Sequence, residues 1–334
     1  RFTRNLAGLQ GQFPASDPPV IERLRQAGAV IVGKANMNPM GWSLPSENDF
    51  TPPPRNPWLP EEYSIGSSSG SAAAVAARQV FGSWGSDGGG SVRLPASQHL
   101  LFGIKPGHGK IPRHGVSSNL NSDMGVLTRG AADGAIFLAA LLQDPAQSSR
   151  VLEPGFGQRG AELAGRRLRF GAPRTFVDTV ATEPDIAAAF ERTLDLMRTA
   201  GAPVVDLADS VTNLLPYALK ATFLVVAANH YSRDYVPLRS ESEASRHSLL
   251  YTAPGAFLTA ADYMAAEAMQ RSIKVQVELA LDEVDFLVMP TTPISRTSTA
   301  RQPEGHRRGL NASFTAPFNL SGHPALSVPI GLTG

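Results

Sequence analysis

The spacing of apolar and polar positions divides the chain into helices and buried strands joined by glycine-rich loops. Val20, Ile21, Leu24 and Ala27 recur at helical spacing behind Asp17-Pro18-Pro19. This predicts a capped helix with proline in its first turn, ended by Gly28. Ala29-Val30-Ile31-Val32 is an unbroken apolar run between glycines, the pattern of a buried strand. Residues 44–64, rich in Pro, Ser, Asn and Glu, read as a long loop. Residues 72–77 read as a small-residue helix capped by Ser71. Residues 80–84 read as a short strand, and 131–142 as a helix with Ile136, Ala139 and Ala140 on one face. The composition then shifts to Asp, Pro, Gly, Ser and Arg over 143–166, which marks an excursion or subdomain boundary.

Beyond it, 168–171 reads as a strand. Thr182 and Asp185 frame a helix start, followed by Ile186, Phe190, Leu194 and Met197 at helical spacing. Gly201 ends that helix, and Val204-Val205 begins another strand. Residues 210–282 are mainly helical in pattern, and 286–289 form a buried strand running into Pro290. Strands alternating with helices predict an α/β fold with a mixed, mostly parallel central sheet wrapped by helices. The whole of 1–334 reads as one domain. Residues 1–142 and 286–334 carry the core, and 143–285 form a helical and α/β excursion on the substrate side. No internal repeat is present.

Composition narrows the function classes. The 334 residues carry 42% apolar and 18% charged positions with a formal net charge of +1. That balance provides no field for nucleic acid or an acidic membrane, and no basic run is interleaved with aromatics. The longest apolar stretches, 223–228 and 286–289, fall far short of the roughly 20 residues a bilayer span needs. Neither nucleic acid nor membrane is therefore expected as a partner. Cysteine is absent, which excludes a thiol nucleophile, a cysteine-based zinc site and any disulfide framework. The sequence opens at Arg1 with no charged-then-apolar leader. The compartment stays open, with the cytoplasm favoured. His99, His108 and His114 fit no common metal-ligand spacing and bring no carboxylate with them. Gly33-Lys34 lacks the upstream glycine of a phosphate-binding loop.

The chemistry concentrates in two loops: Tyr63-Ser64-Ile65-Gly66-Ser67-Ser68-Ser69-Gly70-Ser71 and Gly85-Ser86-Asp87-Gly88-Gly89-Gly90-Ser91-Val92-Arg93. Each abuts an apolar segment, so glycine is required there for backbone geometry and not as a flexible linker. Glycines ahead of a serine expose successive backbone N–H groups, which can form a concave cradle for an oxyanion.

The stretch from Gly66 to Ala96 resembles the signature motif of the amidase signature family. Further matches extend along the chain: Gly33-Lys34-Ala35-Asn36-Met37, Arg55-Asn56-Pro57-Trp58, Gly103-Ile104-Lys105-Pro106, Pro290-Thr291-Thr292-Pro293 and Phe318-Asn319-Leu320-Ser321-Gly322-His323-Pro324-Ala325. The resemblance implies hydrolysis of a carboxylic amide C–N bond on a small-molecule substrate, without cofactor or metal. It implies Ser91 as nucleophile and Ser67, behind a cis peptide, as the relay to a lysine. Gly88, Gly89 and Gly90, with the Ser91 N–H, would form the oxyanion hole. Asp87 and Arg93 would brace the second loop through charge-assisted hydrogen bonds. Variable helices set specificity in the family, which singles out Met40, Gly41, Trp42, Phe223, His230, Tyr231 and Tyr235. Homodimerisation is left open.

The family's lysine would align about ten residues before Arg1, on motif matching alone. Lys34 and Lys105 sit in motifs that do not supply the base. The sequence therefore reads as truncated at both ends. Ile65 stands where the family usually has glycine. Three alternatives remain. Gly66-Ser67-Ser68-Ser69-Gly70 also satisfies the nucleophile elbow of α/β-hydrolases, with Ser68 as nucleophile and His230 or His323 as partner, but the elbow requires a buried strand before it. A glutaminase-type component of an amidotransferase complex would use the same serines, although residues 116–123 match that subfamily only loosely. A catalytically impaired scaffold would have no use for both serines and the glycine cradle.

Overall fold

The structure, a computed structural model, describes residues 15–41, 52–112, 122–142, 144–152, 168–234, 252–295 and 312–332. Expectations resting on Trp42, His114, Tyr235, residues 116–121 and the side chains of Met40 and His230 fall outside the described positions.

Helix α1 (Pro19–Gln26) starts on Pro18-Pro19 and buries Val20 and Leu24, as the spacing predicts. A hairpin of β1 (Arg55–Asn56) and β2 (Leu59–Tyr63) leads to α2 (Ser69–Ala76). Next come β3 (Gly82–Asp87), α3 (Arg93–Gln98), β4 (Phe102–Lys105), β5 (Asp123–Thr128), α4 (Ala131–Leu141) and α5 (Pro145–Leu152). A second α/β stretch contains β6 (Phe170–Ala172), α6 (Arg174–Thr179), α7 (Pro184–Thr199), β7 (Val204–Asp206), α8 (Ala218–Asp234), α9 (Ala260–Glu283) and β8 (Phe286–Leu287). Helix α10 (Ala316–Leu320) and β9 (Ala325–Ser327) follow.

The mixed α/β character is as read; among the described residues antiparallel pairings outnumber the parallel ones that were expected to dominate. The four-stranded sheet has the order β3-β5-β4-β9, and all its pairings are antiparallel. Parallel pairing is confined to the three-stranded sheet β7-β6-β8. There, α6 and α7 form the helical crossover from β6 to β7 that parallel pairing requires. In the larger sheet β5 is central and buried along its whole length. Glycine sets its spacing: a Cβ at Gly125 would press on the Ile104 carbonyl, and one at Gly103 on Ala96.

Five local readings change. Residues 29–32 form no strand: Val30 is 89% and Val32 75% exposed, and only Ile31 packs inward, against the α1, β5 and α4 cluster. An apolar run becomes a strand only where a partner satisfies its backbone, and among the described residues none does. Residues 55–63, read as loop, form the β1–β2 hairpin. The Arg55 guanidinium lies 4.2 Å above the Tyr63 ring, and Asn56 caps the turn by accepting from the Trp58 N–H. Ser71 does not cap α2 but lies inside it, its hydroxyl donating to the Trp84 carbonyl. Ile136 faces solvent while Ala139 is buried, because the buried face of α4 runs through Gly134, Ala139 and Leu141. Phe286 is likewise half exposed, at the start of an edge strand.

Apolar clusters hold these layers. Ala72, Val75, Val92, Ala96, Leu101 and Leu127 pack directly beneath the two glycine loops. A larger cluster joins α6, α7, α8 and α9 to Phe314, Ala316 and Leu320. Within it Phe176 and Phe314 meet edge to face at 5.6 Å. Helix α9 opens with a reciprocal capping box between Thr259 and Asp262. No helix among the described residues is long and apolar enough to cross a membrane.

Candidate active site

The two glycine loops meet where the chain folds back through α2, β3 and α3. The Ser71 and Ser83 hydroxyls stitch α2 to β3 by donating to the Trp84 and Ser71 carbonyls. Gly70 lets the first turn of α2 sit on the backbone of Asn36, whose carbonyl accepts from the Gly70 N–H at 3.1 Å. Gln98, at the end of α3, returns to the first loop and accepts from the Ile65 N–H at 2.6 Å. Ile65 itself is buried, so the side chain standing where glycine is usual becomes part of the packing.

The peptide bond between Gly66 and Ser67 is cis. The Asn38 side chain fills the space beside Gly66, and the Asn38 N–H donates to the Ser67 carbonyl at 3.0 Å. Ser67 is buried, and its hydroxyl faces Gly41: a Cβ there would sit 3.8 Å from Ser67 Oγ. Gly41, singled out for specificity, thus borders Ser67. Ser91 is partly exposed at the end of the second loop. The loops are joined through the main chain, the Ser68 N–H donating to the Ser91 carbonyl at 3.2 Å. No hydrogen bond joins the Ser67 and Ser91 hydroxyls, and neither has a partner among the described residues.

Ser68, the elbow alternative, is different. It is buried, and its hydroxyl points at the Ser86 carbonyl at 3.5 Å. It is preceded by β2, a strand after all, but one whose Leu59, Pro60 and Glu61 reach the surface and which pairs only with β1. The central buried strand an elbow needs is absent there.

The second loop is braced from below by a buried ion pair. Arg93 grips Asp87 with two parallel bonds, Nε to Oδ2 at 2.9 Å and Nη2 to Oδ1 at 2.8 Å. Arg93 also donates to the Thr315 carbonyl and to Asn319 Oδ1, and the Asn319 amide donates to Asp87. Burial alone would raise the Asp87 carboxyl. The Arg93 guanidinium, helped by Asn319 and by the charge of Lys105, outweighs it and holds the group well below the usual carboxylate range. The expected bracing role of Asp87 and Arg93 is thus seen in the geometry, and Thr315 and Asn319 join it. Asn319 lies in the Phe318–Ala325 motif noted in the sequence, whereas nothing in the sequence signalled Thr315.

This brace revises the cradle. The Gly90 N–H donates to Asp87 Oδ1 at 2.7 Å, so it is turned into the protein and does not converge with its neighbours. The Val92 and Arg93 N–H groups are also taken by Asp87. Among the described residues, the N–H groups of Gly88, Gly89 and Ser91 have no protein acceptor. The N–H groups this loop leaves unclaimed are therefore those of Gly88, Gly89 and Ser91, while Gly90 is tied to Asp87. Gly90 has φ +134°, and a Cβ there would lie 2.9 Å from Leu94 and closer still to Thr315 Oγ1. Gly89 has no such constraint; a Cβ would meet only Thr222, at 3.9 Å. Gly90→Ala is accordingly expected to cost about 2–4 kcal/mol in urea unfolding, while Gly89→Ala stays within about 1 kcal/mol of the parent. Equal stability of the two variants would contradict this packing account.

Lys105 and His99 lie nearby in the sequence of these motifs but are held in the packing. Lys105 is wholly buried and donates to the Pro106 carbonyl and to Asp123 Oδ2 at 3.2 Å. Burial lowers its amine against the pull of Asp123. His99 is buried with Nδ1 on the Pro95 carbonyl, and desolvation pushes it down to about 4. It is a neutral packing residue. Among the described residues no group of three His, Asp or Glu side chains could hold a metal ion. Helix α8 brings Thr222 beside Gly89 and leaves Phe223 partly exposed.

The chain is similar to known proteins along nearly its whole length. Residues 2–334 match the family model described as Amidase. The chain is 33% identical to a glutamyl-tRNA(Gln) amidotransferase subunit of Myxococcus xanthus, over 97% of this chain and 72% of that protein. Among solved structures, a glutamyl-tRNA(Gln) amidotransferase subunit from Thermotoga maritima superposes with a TM-score of 0.81 at 28% identity, covering 100% of this chain and 74% of that one. A crystal structure of an amidase gives 0.81 at 27% identity, covering 95% and 71%.

Proposed function

The chain belongs to the amidase family, whose reaction is hydrolysis of a carboxylic amide C–N bond by a serine amidase, and from that premise we propose that Ser91 is its nucleophile and Ser67 its proton relay. The observation that carries this is the pairing of an unoccupied Ser91 hydroxyl with the unclaimed N–H groups of Gly88, Gly89 and Ser91 on one braced loop. A serine hydroxyl attacks a carbonyl only as its proton leaves. Ser67, held against Asn38 and Gly41 and joined to the second loop through Ser68, is the group disposed to receive it. As the C–O bond forms, negative charge develops on the amide oxygen, and the fixed N–H dipoles of the cradle stabilise it. The relayed proton returns to the leaving nitrogen, the C–N bond breaks, and water then releases the acyl group from Ser91. By family resemblance the base beyond Ser67 is a lysine. Lys105 is not that base, because its amine is committed to Asp123 and Pro106.

The substrate is proposed to be a small-molecule amide. A second reading is favoured by the curated relatives, which are amidotransferase subunits: the same Ser91 would then act within a complex of several proteins, as a glutaminase-type component. Ammonia release from glutamine, measured beside hydrolysis of an aryl amide, separates the two.

The direct test is labelling by a fluorophosphonate, with the modified peptide mapped by mass spectrometry. The label is expected on Ser91. A label on Ser68 would establish the elbow reading in its place.

A further inference from the structure

The peptide unit between Gly89 and Gly90 is held at both ends. Its carbonyl accepts a hydrogen bond from Thr315 Oγ1, and its N–H donates to Asp87 Oδ1 at 2.7 Å. In a trans peptide the two groups point in opposite directions, so fixing both fixes the plane. Between two glycines that plane would otherwise turn at little cost. Its orientation sets the aim of the neighbouring Gly89 and Ser91 N–H groups, which belong to the cradle. Asp87 is local to the loop, whereas Thr315 arrives from more than 200 residues away in the sequence.

Thr315 is itself held rigidly. It is buried, its carbonyl accepts from Arg93 Nη1 at 3.0 Å, its N–H donates to the Ala312 carbonyl at 3.1 Å, and its neighbour Phe314 is anchored in the core. Its hydroxyl occupies the space that a Cβ on Gly90 would need. The glycine and the threonine are therefore complementary: one leaves the gap and the other fills it with a donor.

We propose that Thr315 is a positioning residue for amide hydrolysis, its hydroxyl clamping the Gly89 carbonyl so that the cradle N–H groups stay aimed at the developing oxyanion. The inference rests on Ser91 as nucleophile. Thr315 touches neither substrate nor reacting atoms, and acts only through the loop. Removing its hydroxyl leaves the Gly89 carbonyl with no protein donor among the described residues and frees the peptide plane to turn. A displacement of about 1 Å in such a group costs on the order of 100-fold in rate.

The experiment compares Thr315→Val, which keeps the shape and loses the donor, with Thr315→Ser, which keeps the donor. The readouts are the rate of fluorophosphonate labelling per folded molecule and the kcat and KM for an aryl amide. Thr315→Val is expected to slow labelling and lower kcat by about 10- to 100-fold with KM within about twofold, and Thr315→Ser to stay within about threefold of the parent. If Thr315→Val does not fold, Thr315→Cys, a weak donor of similar size, is held to the same thresholds. Parental rates in the variant lacking the donor, or an equal loss in Thr315→Ser, would overturn the proposal. Ser91→Ala, run alongside, separates the two levels. Labelling that persists in Ser91→Ala overturns the assignment of the nucleophile. A silent Ser91→Ala beside a fully active Thr315→Val overturns the Thr315 clamp alone.

Discussion

Ser91→Ala is expected to lower amide hydrolysis by at least about 10⁴-fold while shifting the melting temperature by no more than about 2 °C. The two halves of that expectation come from different observations. The hydroxyl removed has no hydrogen-bond partner among the described residues and lies at a partly exposed loop end, so its loss leaves no buried group unsatisfied and opens no cavity in the core. The catalytic loss is large because the variant retains the cradle but has nothing to form the acyl intermediate. What activity remains is that of water in a preorganised site. Steady-state kinetics on an aryl amide and a thermal melt provide both numbers. A Ser91→Ala protein within tenfold of the parent would exclude Ser91 as nucleophile, and the glycine loop would then need another explanation.

The candidate site was legible in the sequence as two loops with unusual runs of glycine and serine. As letters, Gly88, Gly89, Gly90 and Ser91 in succession made chemistry the economical reading, although Gly90 is also required by its φ of +134° and by Leu94 and Thr315. What the sequence did not show was which way each N–H points. Gly90 looks like its neighbours as a letter, yet its N–H faces Asp87, because a buried carboxylate collects every donor within reach. Thr315 was invisible for a related reason: its role is created by a long-range contact across the fold, and a lone threonine carries no local pattern. The helices with strong periodicity, α1 and α7, emerged where they were expected, since burial of one face is a local property, although no side chain caps the start of α1. Residues 29–32 were misread because apolar content reports only that a segment can be covered; the Val30 and Val32 side chains stand in solvent. The antiparallel sheet was missed because β5 was not recognised. Met124, Val126 and Leu127 lie between Gly125 and polar residues, and the segment shows neither clean alternation nor a continuous apolar run.

Arg93→Ala is expected to destabilise the protein by about 3–5 kcal/mol, the largest stability effect foreseen from a single change in this site. The reason is the charge left behind. Asp87 is fully buried, and with Arg93 gone its carboxylate keeps only Asn319 and the backbone N–H groups of Gly90, Val92 and residue 93. Four donors from Arg93 also disappear, including those to the Thr315 carbonyl and Asn319. Removing both partners is a milder change than removing one: Asp87→Asn with Arg93→Met is expected to be more stable than Arg93→Ala, because no uncompensated charge remains. The pH dependence follows from the depressed Asp87 carboxyl. Its folded value lies below the unfolded value of about 3.9, so the ion pair contributes fully above about pH 5, and that contribution fades as pH falls below about 4. The stability gap between the parent and Asp87→Asn should therefore narrow on acidification and stay constant from pH 5 to 8. Urea unfolding of the variants from about pH 8 down to about pH 3 measures it. Activity should fall with stability in Arg93→Ala even under conditions where the protein is fully folded, since the loop that carries Ser91 is the structure the ion pair braces. An Arg93→Ala protein that lost less than about 1 kcal/mol, or an Asp87→Asn protein whose gap to the parent widened in acid, would show that the Asp87–Arg93 pair does not hold this loop.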